Sequence, residues 1–452
     1  MTEDRSPAAV VAHGGDPVPA GQTDAAPAGR AKRRRFTAGL LGQRDYGLFW
    51  LGETINRIGT AVVGVVLPLF ALSSLHAGPV TVGVLMAATW APWLLIGLPA
   101  GVLVDRVPPK PLLMTAAAVS AAVLVGLTTA AWTGVVTVPL LIFAALLVGA
   151  AGVFSSTASV VYWPALVTRD ELIEGNAKLQ ASESAALILG PSLGGAVAQT
   201  AGPATGLFVA AVGFGCSVAC LLGIRRGRAP VERVRRRGFL HDVREGVRIV
   251  AHDAFLRVMT VNAALANFAG SAAEVLVVVF LVRTVGLNPG TTGTLLALWG
   301  VGALIGALIA RRVASFLGTA RTLVASAVVT APFALLQPLT TPGPGLALFA
   351  VGAIVPVLGV TVYNTVAGAF RQDYCLPETL GRVTATMRLV LFGAVPLGAL
   401  LGGVLGQQLG TRGALWVCVA MGLLPSVLLL LSPIARMRDL PVREARDPDT
   451  GR

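Results

Sequence analysis

The sequence predicts an all-α membrane protein of twelve transmembrane helices in two pseudo-symmetric six-helix bundles. Three observations predict it. Twelve apolar segments fill most of the chain, the basic residues between them fall almost wholly on one side, and the two halves echo each other at an offset of about 205 residues. A segment of about 18 apolar residues crosses a hydrocarbon core as a helix, because only a helix satisfies its own backbone there.

In chain order the first six spans are expected at about 46–75, 81–104, 112–132, 138–163, 181–200 and 204–224. The first carries Glu53 and Arg57 and the fifth carries Glu183; the second, third, fourth and sixth are free of charge. The second six are expected at about 255–282, 291–310, 322–339, 345–370, 382–409 and 413–431. Of these, the seventh holds Glu274 and the eleventh holds Arg388.

Orientation follows from the arginines. With the N-terminus inside, the inner segments hold residues 30–44, Arg106, Lys110, Arg169, Lys178, residues 225–257 and 311–321, Arg371 and the C-terminal arginines. The outer loops hold only Arg283, Arg412 and His76. The reverse topology would place nearly all 35 Lys and Arg outside, so the positive-inside rule sets both termini inside.

Composition excludes a soluble protein: 55% of residues are hydrophobic and 13% charged. The net charge of +13 lies beside the spans, where it faces anionic lipid of the inner leaflet and not nucleic acid. Cys216 and Cys220 share one face of the sixth span, with no His or carboxylate to complete a metal set, and read as small apolar packing residues. No outer loop holds a Cys, and no span holds a His. Neither an external disulfide, a bound metal, a cofactor nor an intramembrane histidine relay is expected.

Five regions follow. Residues 1–44 form a basic N-terminal segment, disordered by composition, ending in Lys32-Arg33-Arg34-Arg35 and a few residues more. Residues 45–224 form the first bundle, 225–254 a basic linker, 255–432 the second bundle and 433–452 a tail. Within the linker, Val243, Val247 and Val250 alternate with Asp242, Arg244, Glu245 and Arg248, the spacing of a helix lying along the membrane surface within 238–253. The repeat rests on Gly101 and Arg106 matching Gly306 and Arg311, and on Pro191 matching Pro396, each at an equivalent place in its half. Such a duplication marks a transporter built around a central site.

The turn after the second span contains Gly97, Gly101, Asp105, Arg106 and Lys110. It resembles the signature loop of the major facilitator superfamily, with Pro108 and Pro109 standing where that loop has a Gly and a basic residue. The resemblance implies an inner gate in which Asp105 pairs with Arg106 or with Arg382, and in which Arg388 takes part. Gly190, Pro191, Gly194 and Gly195 in the fifth span resemble the proline-glycine signature of the superfamily's drug/proton antiporters. Proline permits a kink there and glycines permit close helix approach. The stretch from Tyr162-Trp163-Pro164 through Glu174-Gly175-Asn176 to Gly195 is similar to the exporter branch that includes macrolide-efflux and enterobactin-export proteins. What the resemblance implies is a proton-coupled exporter of small amphipathic molecules, working by alternating access as a monomer in a bacterial cell membrane. An uptake symporter or a facilitator is the alternative; a non-transporting scaffold and a membrane-embedded enzyme are the other classes. No nucleotide-binding phosphate loop is present.

Charges within spans carry the remaining chemistry, because a central ionisable group is costly and needs a partner or a task. Glu53 and Arg57 share a helix face and can pair. Glu183 and Arg388 sit near inner helix ends. Glu274 lies nearest mid-membrane with no basic residue within a turn, so it is the first candidate to carry the proton, with Glu53 and Glu183 in reserve. Its structural alternative is a hydrogen bond to Asn56 or Asn267. Arg57, Asn56, Trp90, Asn267, Phe268 and Asn364, together with Trp50, Trp93 and Phe70, are candidates to line the substrate cavity.

Overall fold

The computed structural model describes residues 39–104, 106–225 and 239–441. The gate residue Asp105, the N-terminal basic cluster, the arginines of 226–238 and the tail beyond 441 lie outside the described residues. The elements are all helical and follow one another as α1 Arg44–Ser73, α2 Pro79–Leu95, α3 Gly97–Val104, α4 Pro109–Trp132, α5 Val138–Tyr162, α6 Leu172–Ala201 and α7 Pro203–Gly223. After the linker come α8 Phe239–His252, α9 Ala254–Val279, α10 Pro289–Leu317, α11 Thr319–Val328, α12 Leu346–Tyr374, α13 Pro377–Gln408, α14 Gly410–Met421 and α15 Leu424–Leu431. Short turns of 3-10 helix, including Ala331–Leu339, and one π turn, Phe280–Thr284, complete them.

Ten helical stretches among the described residues are long and apolar enough to span a membrane. The other two expected spans differ for visible reasons. The second is split into α2 and α3, and the charge-free part of the fifth, residues 184–201 of α6, is made less apolar by its glycines, serines, Pro191, Gln199 and Thr200.

Proline sets where helices start and where they break. Pro79, Pro109, Pro203 and Pro289 each open a helix, where the missing N–H was unpartnered anyway. Inside a helix, a proline at position i cannot donate to the carbonyl at i−4. Three helices end at such a carbonyl: α2 stops at Leu95, four before Pro99; α11 at Val328, four before Pro332; and α14 at Met421, four before Pro425. Pro68, Pro92, Pro191, Pro356 and Pro396 instead lie inside helices that continue past them. A side chain caps two starts: Asp253 accepts from the Leu256 N–H at α9, and Asn288, just before Pro289, accepts from the Thr291 N–H at α10, both at 2.8 Å.

The helices pair in a two-fold pattern. α2, from the second span, packs along α13, the eleventh; α10, the eighth, packs along α6, the fifth. Lipid offers no hydrophobic drive for helices to associate, so close packing must supply it, and small residues supply the closeness. A Cβ on Gly83 would meet the Ala399 carbonyl at 2.6 Å and the Gly403 Cα at 3.1 Å. At the equivalent crossing, a Cβ on Gly195 would meet the Pro289 carbonyl at 2.6 Å and the Gly293 Cα at 2.8 Å. Both crossings lie toward the expected outer ends of their helices. On the same face the Arg283 guanidinium donates to the Ala77 carbonyl at 2.8 Å, tying the end of the seventh span to the turn after α1.

Buried side chains follow this plan. One cluster, including Val66, Phe70, Leu85, Leu141 and Phe214, sits among the first six spans. Another, including Leu256, Leu323, Tyr363 and Val383, sits among the last six. A third crosses between the sets, joining Leu69 and Val82 to Leu276, Leu281 and Phe349. The chain end is not a free tail as far as Pro441. Arg438 accepts at its carbonyl from the Ala320 N–H at 3.1 Å, Asp439 accepts from the Thr319 N–H at 2.9 Å, and Ile434 and Leu440 are buried against α11.

Candidate functional site

The broken helices gather around a cavity of about 480 Å3 in the second half of the molecule. Ala327, Thr330 and Ala331 beside the end of α11, and Gly422, Pro425 and Ser426 beside the break between α14 and α15, line it. Non-helical backbone at membrane depth is tolerated where it faces protein or a cavity. The Ser426 hydroxyl bridges the two breaks by donating to the Ala327 carbonyl at 3.0 Å, and Gln337 donates to the Gly352 carbonyl at 2.7 Å.

One stripe of α9 forms the long wall: Asn262, Ala266, Ala269, Gly270, Ala273 and Val277 recur at helical spacing. Glu274 stands beside this stripe and lines the cavity too. Its side chain has access to the cavity. Among the described residues it makes no hydrogen bond or ion pair. The structural alternative for it is not formed: Asn267 donates instead to the Ala263 carbonyl of its own helix at 2.8 Å, and Asn56 lies 3.4 Å from the Ser155 hydroxyl in the first half.

The first half contributes an aromatic lid. Trp90 of α2 lines the cavity and stacks on Phe392 of α13 with ring centroids 5.8 Å apart, and Trp93 packs on the same ring at 4.7 Å. Asn267 and Asn364 line the cavity too. Phe268 does not line it and its carbonyl faces Gly398; Phe70 is 4% exposed in the core of the first half, and Trp50 donates to the Lys178 carbonyl at 3.3 Å. These three were apolar or aromatic residues in the right spans, but facing the wrong way.

Arg57 is the centre of a second charged site, in the first half. Its Nε lies 3.0 Å from Glu53 Oε1, and its Nη1 lies 2.9 Å from Glu183 Oε2. Glu53 is 8% exposed, while the Glu183 side chain is 51% exposed. The pairing of Glu53 with Arg57 was readable from their spacing. The reach of Arg57 across to α6 was not, because it depends on how α1 and α6 pack. Gly190 makes that packing possible: a Cβ there would collide with Ala61 of α1. Gly194 also faces α1, at Val66, whereas Gly195 and the Pro191 carbonyl face α10.

The gate residues are spread out. Gly101 has open space around its missing Cβ, and Arg106 is exposed. Lys110 donates to the Ile224 carbonyl at 2.8 Å, closing the end of α7. Arg382 pairs with Glu245 of α8 at 2.6 Å, a partner the sequence reading did not assign to it, and Arg388 is exposed. Further along α6, outside the apolar spans, Glu174 accepts from the Leu40 N–H at 3.2 Å and pairs with Lys178, which holds its carboxyl below the usual range.

Two helix sets crossing second-to-fifth, with a largely apolar cavity at membrane depth between broken helices, define a helical membrane transporter. The chain belongs to the major facilitator superfamily: residues 38–449 match its family described as "Transmembrane secretion effector". An uncharacterized MFS-type transporter, y4rN of Sinorhizobium fredii, is 27% identical over 79% of this chain and 88% of its own length. The multidrug efflux pump Tap of Mycobacterium tuberculosis is 26% identical over 81% of this chain and 88% of its own. Among solved structures, the nucleoside transporter NupG has the same fold, with a TM-score of 0.71 at 10% identity, covering 85% of this chain and 98% of that one.

Proposed function

We propose that this protein is a proton-driven exporter of small amphipathic molecules in a bacterial plasma membrane, with both chain ends in the cytoplasm. The observation that carries the reading is Glu274: a carboxyl at membrane depth, exposed to a cavity lined mainly by apolar groups, and without a partner among the described residues. Such a group can take a proton from water in one conformation and lose it in another. The Glu53–Arg57–Glu183 site supports this division of labour, because both of its carboxylates already have a guanidinium as partner.

Alternating access supplies the rest. In this reading the glycine crossings and the Arg283–Ala77 bond are the contacts that hold the outer face closed, and closure of the inner face would bring the loop around Asp105 against the inner end of α13. Relatives that include the efflux pump Tap favour export over import. The test is transport in proteoliposomes with a panel of amphipathic compounds, with the pH gradient present and then collapsed. Accumulation only with a gradient, acid on the side from which protons enter, supports the reading. Gradient-independent equilibration would make the protein a facilitator, and co-directional movement with protons would make it a symporter.

A further inference from the structure

We propose that the cavity holds an elongated ligand, and that Asn262 and Tyr363 form a subsite for a hydroxyl group at its far end from Glu274. The proposal rests on the reading of this cavity as the substrate site, and adds the shape and polarity of what binds there.

Asn262 and Tyr363 line the cavity and are only 4% and 7% exposed. The two side chains are neighbours, yet neither Asn262 Oδ1 nor the Tyr363 hydroxyl has a hydrogen bond of acceptable geometry. A buried polar atom left unpaired is costly, and it is uncommon in native structures unless something else completes it. A carbonyl oxygen needs a donor; a phenol can give one hydrogen bond and accept another. An alcohol answers both at once, donating to Asn262 Oδ1 and accepting from Tyr363. An ammonium can only donate, and an alkyl end can do neither.

Length follows from the helix. Asn262 and Glu274 are twelve residues apart on α9, roughly 18 Å at a rise of 1.5 Å per residue. The wall between them is mixed, with Ala266, Ala273, Val357 and Val360 beside Asn267 and Asn364. The ligand class is therefore an elongated amphiphile with a hydroxyl at one end and an amine or other proton-rich group facing Glu274.

The experiment compares two probes, 12-aminododecan-1-ol and dodecylamine, which differ in the terminal hydroxyl. Trp90 and Trp299 line the cavity, so intrinsic fluorescence of the purified protein in lipid nanodiscs reads occupancy without any gradient. Each probe is measured on wild type, Tyr363→Phe and Asn262→Leu, so that partition into lipid cancels between variants. The wild type should bind the amino alcohol about tenfold more tightly than the amine. Each variant should cut that preference to about threefold or less, with dodecylamine binding unchanged or tighter. Equal binding of the two probes by wild type, or a preference that survives both variants, overturns the subsite. Should Asn262→Leu fail to fold, Tyr363→Phe removes a single oxygen and decides the matter. A preserved preference without proton-driven export would count against the exporter reading and leave the subsite standing; export of other compounds with no preference would do the reverse.

Discussion

Gly195 of α6 and Gly293 of α10 stand back to back, so that a Cβ built on either would come within 2.8 Å of the other's Cα. The neighbouring atoms are backbone, which cannot swing aside, so a side chain here must push the helices apart. We expect Gly195→Leu to prevent closure of this face. Cysteines at positions 199 and 290, which flank the crossing, should be joined efficiently by a short cross-linker in the parent chain and poorly in the Gly195→Leu background. Equal yields would mean that the crossing does not act as the closing seam.

The Arg57 site orders three substitutions. Arg57→Ala leaves Glu53 almost wholly buried without its cation and should cost about 3 kcal/mol. Glu53→Gln should cost less, because Glu183 still holds Arg57 at 2.9 Å. Glu183→Gln, at a side chain 51% exposed, should cost under about 1 kcal/mol. Thermal unfolding in a single detergent should rank them in that order; a Glu183 variant as damaged as the Arg57 variant would contradict it.

α8 is clamped to α13 by more than charge. The Arg382–Glu245 pair is partly exposed and contributes no more than about 1 kcal/mol. Gly246 lies against the Arg382 carbonyl, where a Cβ would sit 2.8 Å from it and collide with Thr386. Gly246→Val should therefore detach α8 while Glu245→Gln barely loosens it. Limited proteolysis within the linker reports this: the valine variant should be cut much faster, the glutamine variant at nearly the parent rate.

Most of the architecture was legible before the helices were placed. Apolar length gave the spans, and three breaks fall four residues before Pro99, Pro332 and Pro425. Pro191 and Pro396 leave their helices continuous, so the packing around a proline decides whether it breaks the helix. The site was legible only in part. Spacing brought Glu53 to Arg57 because both lie on one helix, and the isolation of Glu274 within its span marked it out. What depends on helix rotation stayed hidden: that Arg57 reaches Glu183, that Arg382 meets Glu245, and that Phe70 and Trp50 turn away from the cavity. A cavity confined mainly to one half is a property of packing between α9, α12 and the broken ninth and twelfth spans, and no single segment encodes it. Asn262 was visible as a polar residue in an apolar span; Tyr363, with an aromatic face suited to ordinary packing, gave no such signal.

The C-terminal strap is the next expectation. Asp439 and the Arg438 carbonyl satisfy the first N–H groups of α11, which otherwise have no intrahelical partner. Asp439→Ala should cost about 1 kcal/mol, as the loss of a helix cap does. Ending the chain after Arg436 should cost more, since Leu440 also leaves its buried place. Unfolding temperatures of the two variants against the parent chain measure both effects.

Glu274→Gln tests the central claim most directly. Glutamine keeps the size of the protonated acid and cannot exchange a proton. In proteoliposomes holding the variant, a transported amphipathic substrate should still bind with near-parent affinity and still exchange down its own gradient. It should no longer be concentrated by an imposed pH gradient. Accumulation by the Glu274→Gln protein at the parent rate, under the same gradient, would contradict the assignment of this carboxyl as the proton carrier.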